Sequence, residues 1–261
     1  MKNYWKRIYD SRYFWTYFAK IDLKNKFRKS KLGVLWLCVS PLCLMGIMVL
    51  VFGTAFNYDY GEYAPYILSG ILFWNIVTES FLGGASCIIG SVAYIKQFNH
   101  PISIYPLKAA ITCIISYSIS LLALVSLIVF DEPINLWVVA VTILPTLLLY
   151  FLFSWFGGII SGYIGTKYRD YPQLSALLLQ AIWYISPVFF MESQFDSDSF
   201  MRTFFYYNPN THLLNLIRKP FLEGTIPGVD DYIISVLFII LLGAVSFILN
   251  RKNEKDIIFY I

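Results

Sequence analysis

Phe27-Arg28-Lys29-Ser30-Lys31-Leu32-Gly33-Val34-Leu35-Trp36 marks the point where a basic segment turns into an apolar one, and that change decides the fold. Residues 1–33 carry ten Lys or Arg against two acids, Asp10 and Asp22. From Val34 to Phe56 there is no charge. As a helix, these 23 residues extend roughly 34 Å, enough to cross a hydrocarbon core of about 30 Å. A cationic flank before a first span stays in the cytoplasm. The chain is therefore expected to be anchored in a membrane with its N-terminus inside.

Composition agrees. The chain is 58% hydrophobic and 14% charged, with a mean hydropathy of +0.62. Soluble domains are more charged and less apolar than this. The net charge of +4 does not signal nucleic acid, because the basic residues lie beside spans, where topology explains them. Cys38, Cys43, Cys87 and Cys113 all fall inside predicted spans and are read as packing residues, not as a disulfide framework or zinc site. His100 and His212 are far apart and suggest neither a metal site nor a catalytic base. The first apolar run starts too late and runs too long for a cleavable signal peptide.

Hydropathy predicts an all-α integral membrane protein with six spans: Val34–Phe56, Pro65–Ile89, Ile104–Phe130, Leu136–Gly165, Gln173–Met191 and Tyr232–Asn250, or 34–56, 65–89, 104–130, 136–165, 173–191 and 232–250. With both termini inside, 17 of the 20 basic residues lie on the inner side, and only Arg202, Arg218 and Lys219 lie outside. That asymmetry is what the positive-inside rule requires. The chain thus divides into an interfacial segment, 1–33, and a six-span domain, 34–261.

In the N-terminal segment, Trp5, Ile8, Tyr9, Tyr13, Tyr17, Phe18 and Ile21 recur near helical spacing, with Lys6, Arg7, Arg12 and Lys20 between them. This predicts a helix lying in the interface, aromatic face down. It serves either as a simple anchor or as a docking surface for a cytoplasmic partner. The outer segment 192–231 holds two short apolar pieces, Phe200–Tyr207 and Thr211–Leu222, separated by the turn signal Asn208-Pro209. Leu213, Leu214, Ile217 and Phe221 share one helical face. Two short helices re-entering the outer leaflet are expected, with a surface cap on the bundle as the alternative.

Several motifs, in order, carry a resemblance. Asp22-Leu23-Lys24, the Phe27–Trp36 entry, Pro41-Leu42 and Val51-Phe52-Gly53 frame the first span. Tyr66-Ile67-Leu68-Ser69-Gly70-Ile71-Leu72-Phe73-Trp74 lies in the second, and Lys167-Tyr168-Arg169-Asp170 follows the fourth. Ser186-Pro187-Val188 and Asn208-Pro209 followed by Arg218 complete the series. The whole resembles the permease subunits of ABC-type polysaccharide exporters, which move O-antigen, capsule or teichoic-acid chains.

The resemblance implies a half-transporter at a bacterial inner membrane. Two copies form the channel, and two separate ATP-binding subunits drive it. ATP-Mg would sit on those partners, and this chain would bind no cofactor. The sequence agrees, since it contains no G-x-x-x-x-G-K-[ST] phosphate loop. In relatives the N-terminal helix and the loop between the second and third spans meet the ATPase. Here that implies Arg12, Lys20, Lys24, Tyr94, Ile95, Lys96, Gln97 and Phe98. The first and fifth spans line the channel in relatives, and aromatic faces stack on the apolar faces of sugar rings. The channel candidates are Trp36, Phe52, Phe56, Trp74, Trp183, Tyr184, Phe189 and Phe190, with Phe204, Phe205, Tyr206 and Tyr207 at the outer mouth. Glu79 joins them, as an acid about 21 Å along the second span. It either contacts sugar hydroxyls, pairs across an interface, or lies near the inner end and reaches water.

The favoured cargo is lipid-linked O-antigen. Capsule or teichoic acid, or a small lipid or drug, are alternatives. A membrane-embedded transferase is less favoured, because the acids are scattered and no His-containing constellation appears.

Overall fold

The computed structural model describes residues 2–98, 100–129, 135–188, 190–191, 199–254 and 256–260. Three positions or stretches named above lie outside that set: the last residue of the predicted third span, Phe189, and residues 192–198 of the outer segment.

The described residues are helical, with no strand among them. Two short helices come first, α1 (Lys2–Asp10) and α2 (Arg12–Lys26). The long apolar helices are α3 (Gly33–Phe56), α4 (Tyr60–Cys87), α6 (Ile104–Ile128), α7 (Leu136–Lys167) and α11 (Val229–Asn253). Between them lie α5 (Val92–Gln97), α8 (Tyr171–Ile185), α9 (Phe200–Tyr207) and α10 (Pro209–Arg218). Five of the six predicted segments thus form helices long and apolar enough to cross a bilayer. The predicted fifth, Gln173–Met191, stays helical only to Ile185. The 15 residues of α8 reach about 22 Å, short of a core of about 30 Å. Pro187 explains the stop. It pushes Ser186 into extended backbone (φ −89°, ψ 150°) and has no N–H to continue the ladder.

Helices α4, α6, α7, α10 and α11 surround one core, built on Tyr63, Phe73, Tyr150, Phe153 and Leu213. Small residues bring α4 and α7 together: a Cβ on Gly84 would stand 2.7 Å from the Gly158 Cα, and one on Gly165 would stand 2.5 Å from the Ala85 carbonyl oxygen. Such seams let backbones pack where no hydrophobic drive separates helix from lipid.

The N-terminal segment departs from the single interfacial helix expected. It breaks at Ser11, and its aromatic residues divide between two faces. Ile8 and Ala19 are buried against the bundle, while Tyr9, Tyr13 and Tyr17 form an exposed stripe. The Arg12 guanidinium lies 4.7 Å from the Tyr9 ring and 4.8 Å from that of Tyr13. The physical reason is that α2 packs along α6, so one side is claimed by protein.

Helix α10 is not a surface cap. Thr211, His212, Leu213, Leu214, Leu216, Ile217 and Arg218 are all buried, among α4, α7 and α11. Thr146 and Tyr150 of α7 donate to the carbonyls of Leu216 and Leu213, at 3.2 and 2.7 Å. These bonds fasten the short helix to α7 from inside the bundle.

Candidate functional site

Two ends of the bundle carry the polar chemistry. At the basic end, α2 lies across the starts of α4's last turns and α6. Lys26 Nζ sits 2.6 Å from Glu79 Oε1, and Lys108 Nζ sits 2.8 Å from Asp22 Oδ2. Glu79 opens a π-helical turn, Glu79–Gly83, inside α4. Such turns displace the helical ladder and recur at functional sites. The structure places Glu79 at the basic end, paired with Lys26 of the interfacial segment.

Two adjoining cavities meet at this pair. One, of about 370 Å³, is lined by Trp36, Asn75, Ser116 and Tyr117. The other, of about 320 Å³, is lined by Asp22, Cys87, Lys108 and Thr112. Lys26, Glu79, Cys113 and Ser116 border both. Ser116 Oγ is buried beside the cavities and has no hydrogen-bond partner among the described residues. Lys26 and Lys108 were legible only as flanking charge, yet they form the bridges. Nothing in their spacing distinguishes them from their neighbours.

The short helix α5 and α2 form one surface. The Phe18 ring packs edge-on against Tyr94 at 4.4 Å and stacks on Phe14 at 4.6 Å, and Phe14 lies 4.6 Å from His100. Ser11 Oγ lies 3.0 Å from His100 Nδ1. Burial and then the Arg7 charge push the His100 pKa below its usual value. Lys20, Lys24, Tyr94, Lys96, Gln97 and Phe98 are exposed around this cluster, with Arg12 and Ile95 partly covered. The sequence named both elements separately; the structure joins them through Phe14, Phe18 and His100.

At the far end, Arg218 is buried and ties α10 to α4 and to the turn after α8. Its Nη1 donates to the Pro187 carbonyl at 2.7 Å, and its Nη2 to those of Val188 and Tyr66 at 3.0 and 3.3 Å. Its Nε donates to Ser69 Oγ at 3.3 Å. Gly70 makes room: a Cβ there would stand 2.6 Å from the Val188 oxygen. Next to it, Asp231 accepts from Lys219 Nζ at 2.6 Å, Asn215 Nδ2 at 3.1 Å and the Gly228 N–H at 3.1 Å, and lies 2.9 Å from His212 Nδ1. The sequence reading counted Arg218 as an outside charge. Its position on the stripe of Leu214 and Phe221 was the available signal that it points inward.

The aromatic candidates separate. Phe52, Phe56 and Phe190 form one cluster, with Phe52 parallel to Phe56 at 6.1 Å and Phe190 edge-on to Phe56 at 5.9 Å. Trp36, Tyr184, Phe204, Tyr206 and Tyr207 present exposed ring surface. Trp74 and Trp183 are half-buried against the core. Phe205 has no exposed surface, so its ring packs the protomer and offers no face to a polymer.

Helices α3 and α8 are poorly covered. Of α3 only Pro41 and Gly53 are buried, and of α8 only Ser175 and Leu179. Val34, Leu35, Ile47, Leu50, Leu174, Leu177 and Ile185 stand open. Continuous apolar faces of this size mark contact with lipid or with another protein surface.

Comparison with known proteins locates this architecture. Residues 14–222 match the family model described as ABC-2 type transporter. The chain is 23% identical over 252 residues to the O-antigen export system permease protein RfbA of Myxococcus xanthus, covering 96% of each chain. It is also 23% identical over 208 residues to the O-antigen export system permease protein RfbA of Klebsiella pneumoniae, covering 78% of each.

Proposed function

Because this chain belongs to the ABC-2 type transporter family, we propose that it is the permease half of an ATP-driven exporter of lipid-linked polysaccharide, with O-antigen as the cargo. The names of its relatives support that cargo. The observation that carries the channel reading is α3. A first span whose own bundle covers only Pro41 and Gly53 needs a second surface. A second copy of the chain supplies it, and the open faces of α3 and α8 then border a shared path. Trp36, Phe52, Phe56, Tyr184 and Phe190 give that path aromatic surface on which sugar rings slide.

In this reading the basic end faces the cytoplasm of a bacterial cell, both termini are inside, and the membrane is the inner one. Helix α8 and the turn through Val188 make the sixth crossing, and α9 and α10 sit in the outer half of the bundle. Two ATP-binding subunits dock on the joint surface of α2 and α5 and hydrolyse ATP-Mg. Their closure pushes on α2, which holds α4 through Lys26–Glu79 and α6 through Asp22–Lys108. A push on one lever therefore reaches two spans.

The test is co-purification in detergent of the tagged chain with its ATPase, followed by mass determination and an ATPase assay. A 2:2 assembly that hydrolyses ATP is expected. A stable particle without the ATPase, in which this chain alone retains an activity, would overturn the reading.

A further inference from the structure

A cleft of about 360 Å³ is lined by α7 and α11, apart from the two cavities at Lys26 and Glu79. Its walls are Trp155, Phe156 and Phe247, and Tyr4 of α1 closes its top. The volume falls within the range of small-molecule sites.

The rim is polar and held in place. Asn250 Oδ1 accepts from Tyr163 at 2.6 Å, Ser103 at 3.1 Å and Tyr4 at 3.3 Å. The Trp155 indole donates to the Ser103 carbonyl at 3.2 Å. These bonds fix the roof and the walls before any ligand arrives.

Two charges stand at the mouth. Arg251 is exposed and makes no ion pair among the described residues. Glu254 is partly buried one turn later, and its carboxylate faces the Tyr4 hydroxyl, the Ile102 N–H and the Arg7 charge. Residues three apart on a helix are neighbours on one face. The mouth therefore offers a guanidinium and a carboxylate side by side, above an apolar slot.

The flank on which the cleft opens is apolar. Ile240 and Phe247 of α11 are exposed there. A ligand reaching this cleft must have an acyl-type body and a head with both charges. We propose that it holds one membrane phospholipid with a phosphoethanolamine head: the phosphate on Arg251, the ammonium on Glu254, and an acyl chain between Phe156 and Phe247. Guanidinium suits phosphate because its fork of donors matches phosphate oxygens. A phosphoglycerol head would leave Glu254 without a cation from the lipid. Tyr4 ties the bound lipid to α1, so occupancy braces the interfacial segment against the last span. The inference is independent of the cargo.

The test uses the full chain with its ATPase, reconstituted in nanodiscs containing brominated phosphatidylethanolamine or brominated phosphatidylglycerol. The Trp155 signal is taken as wild type minus Trp155→Phe. Quenching by the ethanolamine lipid is expected to exceed that by the glycerol lipid by about fivefold in apparent affinity, the scale of one charged contact at a membrane surface. Arg251→Gln removes quenching by both, and Glu254→Gln makes the two equal. Native mass spectrometry of the same variants, which does not depend on Trp155, should show one retained ethanolamine lipid per chain in the wild type and none in Arg251→Gln. Equal quenching in the wild type, preference for the glycerol lipid, or indifference to Arg251→Gln would overturn the assignment. So would Phe247→Cys chains that crosslink to each other, since a second copy would then fill the cleft.

Discussion

Lys26 and Glu79 are 53 residues apart in sequence and 2.6 Å apart in space. Their contact fastens the last turn of the interfacial helix α2 to the π-helical turn of α4. Both side chains are nearly half exposed, so the pair adds little to stability, about 1 kcal/mol or less. Its value lies in coupling. Glu79→Lys is expected to lower O-antigen display at the cell surface by about fivefold or more, the effect of losing a coupling free energy near 1 kcal/mol. Expression and fold should change little. The swapped pair Lys26→Glu with Glu79→Lys restores most of the display; failure of the swap to rescue would assign Glu79 to the cargo instead.

Arg218 holds the turn after α8 through the Pro187 and Val188 carbonyls and lies 3.6 Å over the Tyr66 ring. Arg218→Ala leaves these buried acceptors without their cation. A loss of about 3 kcal/mol or more is expected in unfolding midpoints measured in detergent. Arg218→Lys should recover only part, because one ammonium cannot reproduce the planar fork. Full stability in Arg218→Ala would show that the turn after α8 stands without it.

Gly165 lies against Ala85, and an added Cβ would meet the Ala85 carbonyl oxygen at 2.5 Å. Gly165→Val must push α4 and α7 apart, at a cost of about 1–3 kcal/mol. The expected readout is a lower thermal midpoint by scanning fluorimetry. Gly46, whose Cβ would meet nothing within 4 Å, supplies the control: Gly46→Ala should leave the midpoint unchanged.

The joint surface of α2 and α5 is expected to respond to acid. Burial and Arg7 lower the His100 pKa, so the folded state binds its proton less readily than the unfolded chain. That contribution to stability is present above the unfolded pKa of about 6.5 and is lost as pH falls through the lower folded value. Protection factors in α2 and α5, taken relative to the intrinsic exchange rate at each pH, should therefore fall between pH 6.5 and more acidic conditions, and His100→Gln should flatten the fall. Unchanged protection in the wild type across that window would count against a folded-state origin.

The docking surface can be tested through its exposed members. Lys96→Glu combined with Phe98→Ala is expected to reduce ATPase recovery on the tagged chain by about fivefold or more, while the permease itself is recovered in full. Undiminished recovery would move the ATPase contact elsewhere.

Sequence alone determined the membrane-spanning helical architecture, because a bilayer demands long uncharged runs and sorts Lys and Arg by side. Those constraints are local and additive, and they can be read from Val34–Phe56 or Ile104–Ile128 without knowing the neighbours. Asn208-Pro209 marked the junction between two short helices for the same reason: a capping side chain and a residue without N–H act within one turn. The tertiary structure alone decided which polar residues meet. Arg218 and Arg202 look alike as outer-segment charges, yet packing of α10 into the core buries the first against α4 and the turn after α8. Lys26 resembles its basic neighbours until α2 crosses α4 and brings it to Glu79. Phe205 sits in an aromatic run with Phe204, Tyr206 and Tyr207, and only helix orientation turns it inward. Hydropathy reports how much of a segment avoids water. It does not specify the azimuth of a helix about its own axis, and that rotation sets which side chains pair, which pack, and which remain open to cargo or lipid.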